Sequence, residues 1–201
     1  MPLRIGIIDS GVHATHPHVQ GVSGGVSIAG DDYVDRLGHG TAVAAVIREK
    51  APAAELYAVK IFDRQLQTNA DDLVQAIRWC VAHRMRLINL SLGTANPAHA
   101  QILQQAIGQA QASDAWVISA GEWLPGSLPG TIPVFLDWEC PRGAYRTQTL
   151  PDGRVGYFAS GYPRPRPGVP PERNLRGISF AVANVTGLLA REIQNAARES
   201  S

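Results

Sequence analysis

The sequence predicts a three-layer α/β fold, in which helices cover both faces of a mainly parallel central sheet. Short, β-branched apolar runs alternate along the chain with segments of helical spacing, and this alternation is typical of parallel sheets. Of the 201 residues, 45% are hydrophobic and 17% are charged. This composition excludes a disordered chain and fits one domain with a substantial core, so we expect a single domain over residues 1–201.

Five apolar runs predict buried strands, because they are short and bounded by turn-forming residues. These runs are Leu3–Ile8, Leu56–Ile61, Leu87–Leu90, Trp116–Ser119 and Ile132–Leu136. Four segments have the spacing of helices: Thr41–Glu49, Ala70–Ala82, Ala98–Ala112 and Ser179–Ala197. Residues 121–177 are rich in Pro and Gly and predict a long loop or a hairpin rather than a separate domain.

Several classes of function are excluded by the bulk properties. The formal net charge is +1, so no overall field favours nucleic acid or an anionic membrane, and no apolar run approaches the ~20 residues that span a bilayer. The first residues lack the features of a secretory signal, and no propeptide is visible, so we expect a cytoplasmic protein.

Two cysteines, Cys80 and Cys140, are too few for a disulfide framework. Reduced thiols are the default, and a single bridge remains open.

Three local patterns place reactive side chains at the ends of predicted elements. Asp9 follows a strand and precedes Ser-Gly, His39 lies between two glycines at a helix start, and Ser179 opens a long apolar helix. Each alone has an ordinary explanation as a turn former, a structural histidine or a helix cap. Together they supply a nucleophile, a base to take its proton and an acid to orient that base, which is what acyl transfer by serine requires.

The same segments resemble the subtilisin-type serine peptidases, whose triad follows the order Asp, His, Ser. Residues 7–17 (IIDSGVHATHP) resemble the aspartate box of that family, residues 38–44 (GHGTAVA) its histidine box, and residues 177–187 (GISFAVANVTG) its serine box. Residues 56–61 and 89–93 resemble the strand and the cleft wall that lie between these boxes. The resemblance runs in order from residue 3 to about residue 190, and it implies a subtilisin-like fold of reduced size.

The resemblance also implies roles for individual residues. Ser179 would attack the scissile carbonyl, His39 would act as base and then acid, and Asp9 would orient the imidazole. An extended substrate would pair along Ser91, Leu92 and Gly93 through main-chain hydrogen bonds. The opposite side of the pocket would come from residues 118–122, which include Gly121.

Glu122 is the main departure from the family pattern. The family has at this position an asparagine whose amide donates to the oxyanion, and an ionised carboxylate would repel that charge. An active enzyme therefore requires that Glu122 be protonated, that its side chain be turned away, or that another group donate to the oxyanion. The alternative interpretation is that the loop has shifted and that Glu122 is simply exposed to solvent. Losing this donor costs roughly 10²–10³ in kcat, a figure measured on a subtilisin, so we expect a slow enzyme.

Two further departures bear on packing and on metals. Ala183-Asn184 stands where the family usually has Pro-His. Residues 48–55 leave no room for the calcium loop of secreted relatives, so we expect no calcium dependence, no metal and no cofactor. A zinc cluster of imidazoles and a carboxylate is the weaker alternative, and its ligands would be Asp9, His13, His16, His18 and His39.

Four arginines lie on the loop that leads to the candidate nucleophile: Arg164, Arg166, Arg173 and Arg176. The ordinary interpretation is a solvated loop; the alternative is a docking surface for an acidic peptide or partner protein.

The leading hypothesis is a cytoplasmic endopeptidase that cuts one or few protein substrates through an acyl-enzyme. It resembles the compact proteases that remove leader peptides from modified precursors, including those of quinohemoprotein amine dehydrogenase biogenesis. Its partner would be a peptide or protein substrate, with no nucleic acid and no membrane. The rival hypothesis is a non-catalytic peptide-binding protein that retains the fold.

Overall fold

The computed structural model describes residues 2–199 and confirms the predicted α/β fold. Eight strands are present: β1 (Arg4–Asp9), β2 (Gly24–Ser27), β3 (Glu55–Lys60), β4 (Leu87–Leu90), β5 (Trp116–Ala120), β6 (Thr131–Leu136), β7 (Tyr145–Thr149) and β8 (Val155–Ala159). They form one sheet in the order β2-β3-β1-β4-β5-β6-β8-β7. Every neighbouring pair is parallel except β7 with β8.

Four helices cover the two faces of this sheet: α1 (His39–Lys50), α2 (Ala70–Ala82), α3 (Ala100–Ala112) and α4 (Ile178–Glu199). Helices α1 and α4 pack together over one apolar core, and α2 and α3 pack together over a second core on the other face. The two cores share the sheet between them, which gives the three layers that the sequence predicts. None of the helices within residues 2–199 combines the length and hydrophobicity that a membrane span requires.

The predicted strands and helices are all present, and the differences lie at their ends and in two sheet additions. Helix α1 begins at His39 rather than Thr41, and a 3₁₀ turn at Pro97–His99 precedes α3. Strand β2 was not predicted, because Gly24–Ser27 is half-buried at the sheet edge and has no apolar alternation. The region 121–177 contains a hairpin, one of the two outcomes expected for it, and β8 of that hairpin pairs with β6 and so extends the main sheet.

The topology brings the ends of three central strands to one edge of the sheet. Asp9 is the last residue of β1, Ser91 follows β4 and Gly121 follows β5. Since these strands are parallel and adjacent, their carboxyl ends lie at the same edge. The order of the strands reverses between β1 and β4, and ligands of open α/β sheets bind at such a point. Cys80 and Cys140 are both buried and free, so no bridge joins them.

Candidate active site

Asp9 and His39 form a directly bonded pair at the sheet edge. His39 Nδ1 lies 2.8 Å from Asp9 Oδ1 and 3.0 Å from Asp9 Oδ2. The carboxylate is 1% exposed, while the imidazole is 21% exposed. Because an ionised carboxylate can only accept hydrogen bonds, this pair holds a proton on Nδ1 and leaves Nε2 for another partner.

The surroundings of His39 favour its protonated form. Burial by itself lowers the pKa of this imidazole, but the hydrogen bond and the negative charge of Asp9 act in the opposite sense. The charge of Asp35 adds to them, and the net result is a pKa raised above the usual value. An imidazolium formed at this position is therefore stabilised, as a general base requires when it takes up a proton.

The start of α1 is fixed by the buried carboxylate of Asp35. Asp35 Oδ1 accepts hydrogen bonds from Ser10 Oγ at 2.8 Å and from the Leu37 and Gly38 amides at 2.9 Å. Asp35 Oδ2 accepts from the amide of Thr41 at 2.8 Å and from its hydroxyl at 2.6 Å. This carboxylate thus satisfies free amides around the first turn of the helix that carries the histidine.

Gly40 allows the helix start to approach β1 closely. A Cβ atom at Gly40 would lie 2.1 Å from the Gly11 carbonyl oxygen and 3.1 Å from Asp9 Cβ. The Gly40 amide also donates to Ser10 Oγ at 3.0 Å. Any side chain at this position would push the imidazole away from its carboxylate, which explains the glycine next to His39.

Ser179 lies in the first turn of α4 and is bonded to Ser91. Its hydroxyl donates to the Ser91 carbonyl at 3.1 Å, and Ser91 Oγ donates to the Ser179 carbonyl at 3.3 Å. The next residue, Phe180, has its ring centroid 5.8 Å from that of His39. Among residues 2–199, the hydroxyl of Ser179 makes no hydrogen bond to His39, so the structure brings these two elements together without joining the two side chains.

A network of buried polar side chains supports Ser91. Asn89 Nδ2 donates to Ser91 Oγ at 2.9 Å, and Thr186 Oγ lies 3.0 Å from Asn89 Oδ1. Asn89 belongs to β4 and Thr186 to α4, and both are fully buried. These hydrogen bonds connect β4 to α4 and fix the position of Ser91. The sequence analysis did not predict this network.

Ser179 also presents a free backbone donor. Within the described part of the chain, no backbone carbonyl accepts a hydrogen bond from the Ser179 amide. It lies in the first turn of α4, where the helix dipole favours negative charge. Glu122, by contrast, is exposed.

The segments of residues 91–94 and 121–124 face each other and are joined by backbone hydrogen bonds. Thr94 and Leu124 exchange backbone hydrogen bonds of 2.9 and 3.0 Å, and the half-exposed Trp123 packs over Gly93. A Cβ atom at Gly93 would lie 2.8 Å from Trp123 Cβ, so only glycine fits there. The segment of Ser91, Leu92 and Gly93 and the segment that contains Gly121 therefore form two close walls.

Asn184 explains one departure from the family pattern. Its amide donates to the carbonyls of Ser160 and Tyr162 at 2.8 and 3.1 Å. Gly177 additionally donates its amide to the Gly161 carbonyl at 2.8 Å. The asparagine thus holds the beginning of the loop that ends at Ser179.

The histidines of the zinc alternative do not gather around a metal position. Among residues 2–199, no group of three or more His, Cys, Asp and Glu side chains could hold a metal ion. His16 Nδ1 accepts from the His18 amide at 3.2 Å, and His13 Nδ1 lies 3.2 Å from Thr15 Oγ. His13, His16 and His18 instead line a cavity next to α1.

Sequence reasoning missed Asp35 altogether. Its position four residues before His39 is the available signal, since a carboxylate just before a helix commonly caps it. That signal is weak, because Asp31 and Asp32 are also close and the sequence does not show which carboxylate turns inward.

Comparisons with known proteins agree with the fold. The model of the subtilase family matches residues 3–133, which include Asp9 and His39 but not Ser179. The chain is 35% identical over 130 residues to the minor extracellular protease Epr of Bacillus subtilis (strain 168), covering 59% of this chain and 19% of that protein. It is 28% identical over 210 residues to subtilisin E of the same organism, covering 97% of this chain and 54% of that protein. The chain thus spans about half or less of the length of these relatives.

Two solved structures share the fold. The prenylagaramide maturation protease PagA superposes with a TM-score of 0.74 at 24% identity, covering 99% of this chain and 77% of that one. A lanthipeptide protease superposes with a TM-score of 0.74 at 18% identity, covering 98% of this chain and 74% of that one.

Proposed function

This chain belongs to the subtilase family, and from that premise we propose that it is a serine endopeptidase whose catalytic triad is Asp9, His39 and Ser179. The observation that carries the proposal is the short bond between the buried Asp9 carboxylate and His39 Nδ1, on the helix α1 that packs against α4, whose first turn contains Ser179. Burial lowers the pKa of His39, but the hydrogen bond and the charge of Asp9 outweigh this effect and raise the pKa overall. The raised pKa supports a role for His39 as a general base.

The reaction starts with a rotation of one side chain. The Ser179 hydroxyl turns about its Cα–Cβ bond from the Ser91 carbonyl toward His39 Nε2, and such bonds commonly tighten only when substrate is bound. The hydroxyl oxygen attacks the scissile carbonyl carbon while its proton passes to Nε2. Asp9 stabilises the imidazolium that results.

Collapse of the tetrahedral intermediate then releases the first product. The Ser179 amide donates to the oxyanion in the field of the α4 N-terminus. His39 returns its proton to the leaving amine, the C–N bond breaks, and an acyl ester remains on Ser179. A water molecule, deprotonated by His39, attacks this ester and restores the free serine.

The residues before the cut would pair as an additional strand along Ser91, Leu92 and Gly93. The side chain that precedes the cut would enter between this segment and Gly121. Trp123 over Gly93 supports a narrow entrance and hence a preference for small side chains at that position.

We further propose that the enzyme is slow and dedicated to a single class of precursor. The exposed Glu122 in place of an amide donor supports slowness, because only the Ser179 amide remains as an identified donor to the oxyanion. The two structural neighbours are a maturation protease and a lanthipeptide protease. This likeness supports a role in removing a leader peptide from a precursor. Two free buried thiols support a reducing compartment such as the cytoplasm.

A non-catalytic peptide-binding protein is the second candidate. The observation that favours it is the bond from the Ser179 hydroxyl to the Ser91 carbonyl instead of to His39. In this case the two walls would bind an extended peptide without cleaving it.

Labelling with a fluorophosphonate probe separates the two candidates, since this reagent modifies only an activated serine. A peptidase gives one adduct, mapped to Ser179 by mass spectrometry, and none in the Ser179→Ala variant. Ser127→Ala is the matched control, because it removes an exposed hydroxyl and should label like the wild type. Absence of labelling in a folded wild-type protein would favour the binding protein.

A further inference from the structure

A cationic cavity lies beside the histidine of the proposed triad. Its volume is about 500 Å³, within the usual range of ligand sites. Gly38 and Thr41, which flank His39 in the sequence, form part of its wall, and Asn174 and Leu175, which precede Ser179, form another part. The cavity therefore borders both segments that carry the proposed catalytic groups.

Its charged lining is almost entirely basic. Arg164 and Arg166 line it together with His13, His16 and His18. Within residues 2–199, neither arginine has a carboxylate within ion-pair distance, while nine other arginine and lysine residues do. Two guanidinium groups thus line the cavity without an ion-pair partner.

One carboxylate lines this cavity and leaves an excess of positive charge. Asp35 offsets one of the two arginines, but both of its oxygens accept hydrogen bonds from the start of α1, and among residues 2–199 it forms no ion pair with Arg164 or Arg166. Glu49 acts on His18 from a distance but is paired with Arg142 and Lys50. The pKa of His18 is lowered by burial and then by the charges of Arg164 and His16, which is consistent with unbalanced positive charge.

The histidines add N–H donors. His16 Nδ1 accepts from the His18 amide at 3.2 Å, so the N–H of His16 lies on Nε2. Two guanidinium groups with nearby imidazole N–H groups suit the planar, bidentate geometry of a carboxylate. The exposed side chain of Leu175 adds an apolar edge, as a peptide would require.

We infer that this cavity binds an aspartate or glutamate side chain of the peptide substrate on the carboxyl side of the cut. The inference rests on the proposed peptidase function. Under that function, residues before the cut pair with Ser91, Leu92 and Gly93, and no residue of 87–124 lines the cavity. The cavity is lined instead by Gly38 and Thr41 near His39 and by Asn174 and Leu175 before Ser179, so we assign it to residues that follow the cut.

The test combines cleavage with binding. A peptide library is digested with the wild-type chain, the cut sites are read by mass spectrometry, and the best substrate is synthesised with Glu or Gln at the enriched acidic position. We expect Glu to exceed Gln by about tenfold in kcat/KM, mostly through KM. In Arg164→Gln/Arg166→Gln this preference falls to near unity, and in Arg164→Lys/Arg166→Lys part of it returns.

Controls keep the outcomes distinct. Arg173→Gln and Arg64→Gln remove exposed charges outside the cavity and should keep the preference, whereas added salt should weaken it. Binding of the Glu and Gln peptides to Ser179→Ala measures the same preference without catalysis. Cleavage with no preference for acidic residues would overturn the inference and leave the peptidase intact. Equal binding of the two peptides to Ser179→Ala would also overturn it. If the library yields no cut site, a poly-Glu and a poly-Gln peptide take their place in the same binding measurement, and equal binding of those two would overturn the inference.

Discussion

Ser179 and Ser91 are joined by two reciprocal hydrogen bonds, from each hydroxyl to the backbone carbonyl of the other residue. The pair connects the first turn of α4 to the end of β4. It places the proposed nucleophile beside the wall that would hold the substrate, and it uses the hydroxyl of Ser179 as a donor to the Ser91 carbonyl.

Ser91→Ala should destabilise the protein without changing its fold. It removes one of the two bonds and leaves the buried Asn89 amide without its acceptor, which should lower the free energy of unfolding by about 1–2 kcal/mol. Urea denaturation measures this change, with Ser127→Ala as the exposed control. Equal stability of the two variants would show that these hydrogen bonds do not stabilise the folded state.

Asp35→Asn should both destabilise the protein and disturb His39. An amide presents a donor toward the Thr41 amide, and we expect a loss of about 2 kcal/mol or more, with a lower kcat. Burial raises the pKa of Asp35, but hydrogen bonds from Thr41, Leu37 and Gly38 lower it below the usual value. Its stabilising contribution is therefore present above the unfolded-state pKa and is lost as pH falls through the folded-state pKa.

Thermal unfolding from pH 7 down to pH 3 tests this role, with the exposed Asp31→Asn as the matched variant. The difference between wild type and Asp35→Asn should shrink toward the acid end. A difference that is constant with pH would contradict an ionised cap.

The pH dependence of hydrolysis should report His39. Burial lowers its pKa, but Asp9 and Asp35 raise it overall, so kcat/KM should rise with pH through a value above about 6.5. The folded state binds this proton more tightly than the unfolded state. The associated stability is thus complete below the unfolded-state pKa and is lost as pH rises through the folded-state pKa.

An NMR titration of the His39 ring measures the same pKa directly. In Asp9→Asn the pKa should fall, because burial remains and the main opposing charge is gone. A His39 pKa that does not change in this variant would argue against the electrostatic pairing.

Glu122→Asn should increase kcat by about tenfold or more, because it restores an amide donor where an oxyanion is expected to form. Glu122→Gln removes the same charge but places the amide one methylene further out. A larger increase for Asn than for Gln indicates a positioned donor, and equal increases indicate relief of charge repulsion. An unchanged or lower rate for both variants would contradict the oxyanion assignment.

The sequence was sufficient for five of the strands and for the helices in the described part of the chain. The buried strands have short apolar runs bounded by turn-forming residues, and α2 has the apolar spacing of a helix over the same range, Ala70–Ala82, that the structure shows. It could not predict β2, because an edge strand of Gly24–Ser27 depends on pairing with β3 rather than on its own composition.

The supporting shell of the site could not be predicted for a similar reason. Asp35, Asn89 and Thr186 have roles that depend on contacts between distant segments, and their residue types are ordinary at the surface. The bond between the hydroxyl of Ser179 and Ser91 likewise depends on how α4 docks against β4.

The most direct measurement of the central claim is the rate at which Ser179 becomes acylated by an activated ester, followed by intact-protein mass spectrometry. Wild type should gain one acyl group, mapped to Ser179, and His39→Ala should gain none on the same time scale. Asp9→Asn should react about 10⁴-fold more slowly, a magnitude taken from serine proteases that include a subtilisin. Acylation at equal rates in wild type and His39→Ala, or at a residue other than Ser179, would contradict the triad.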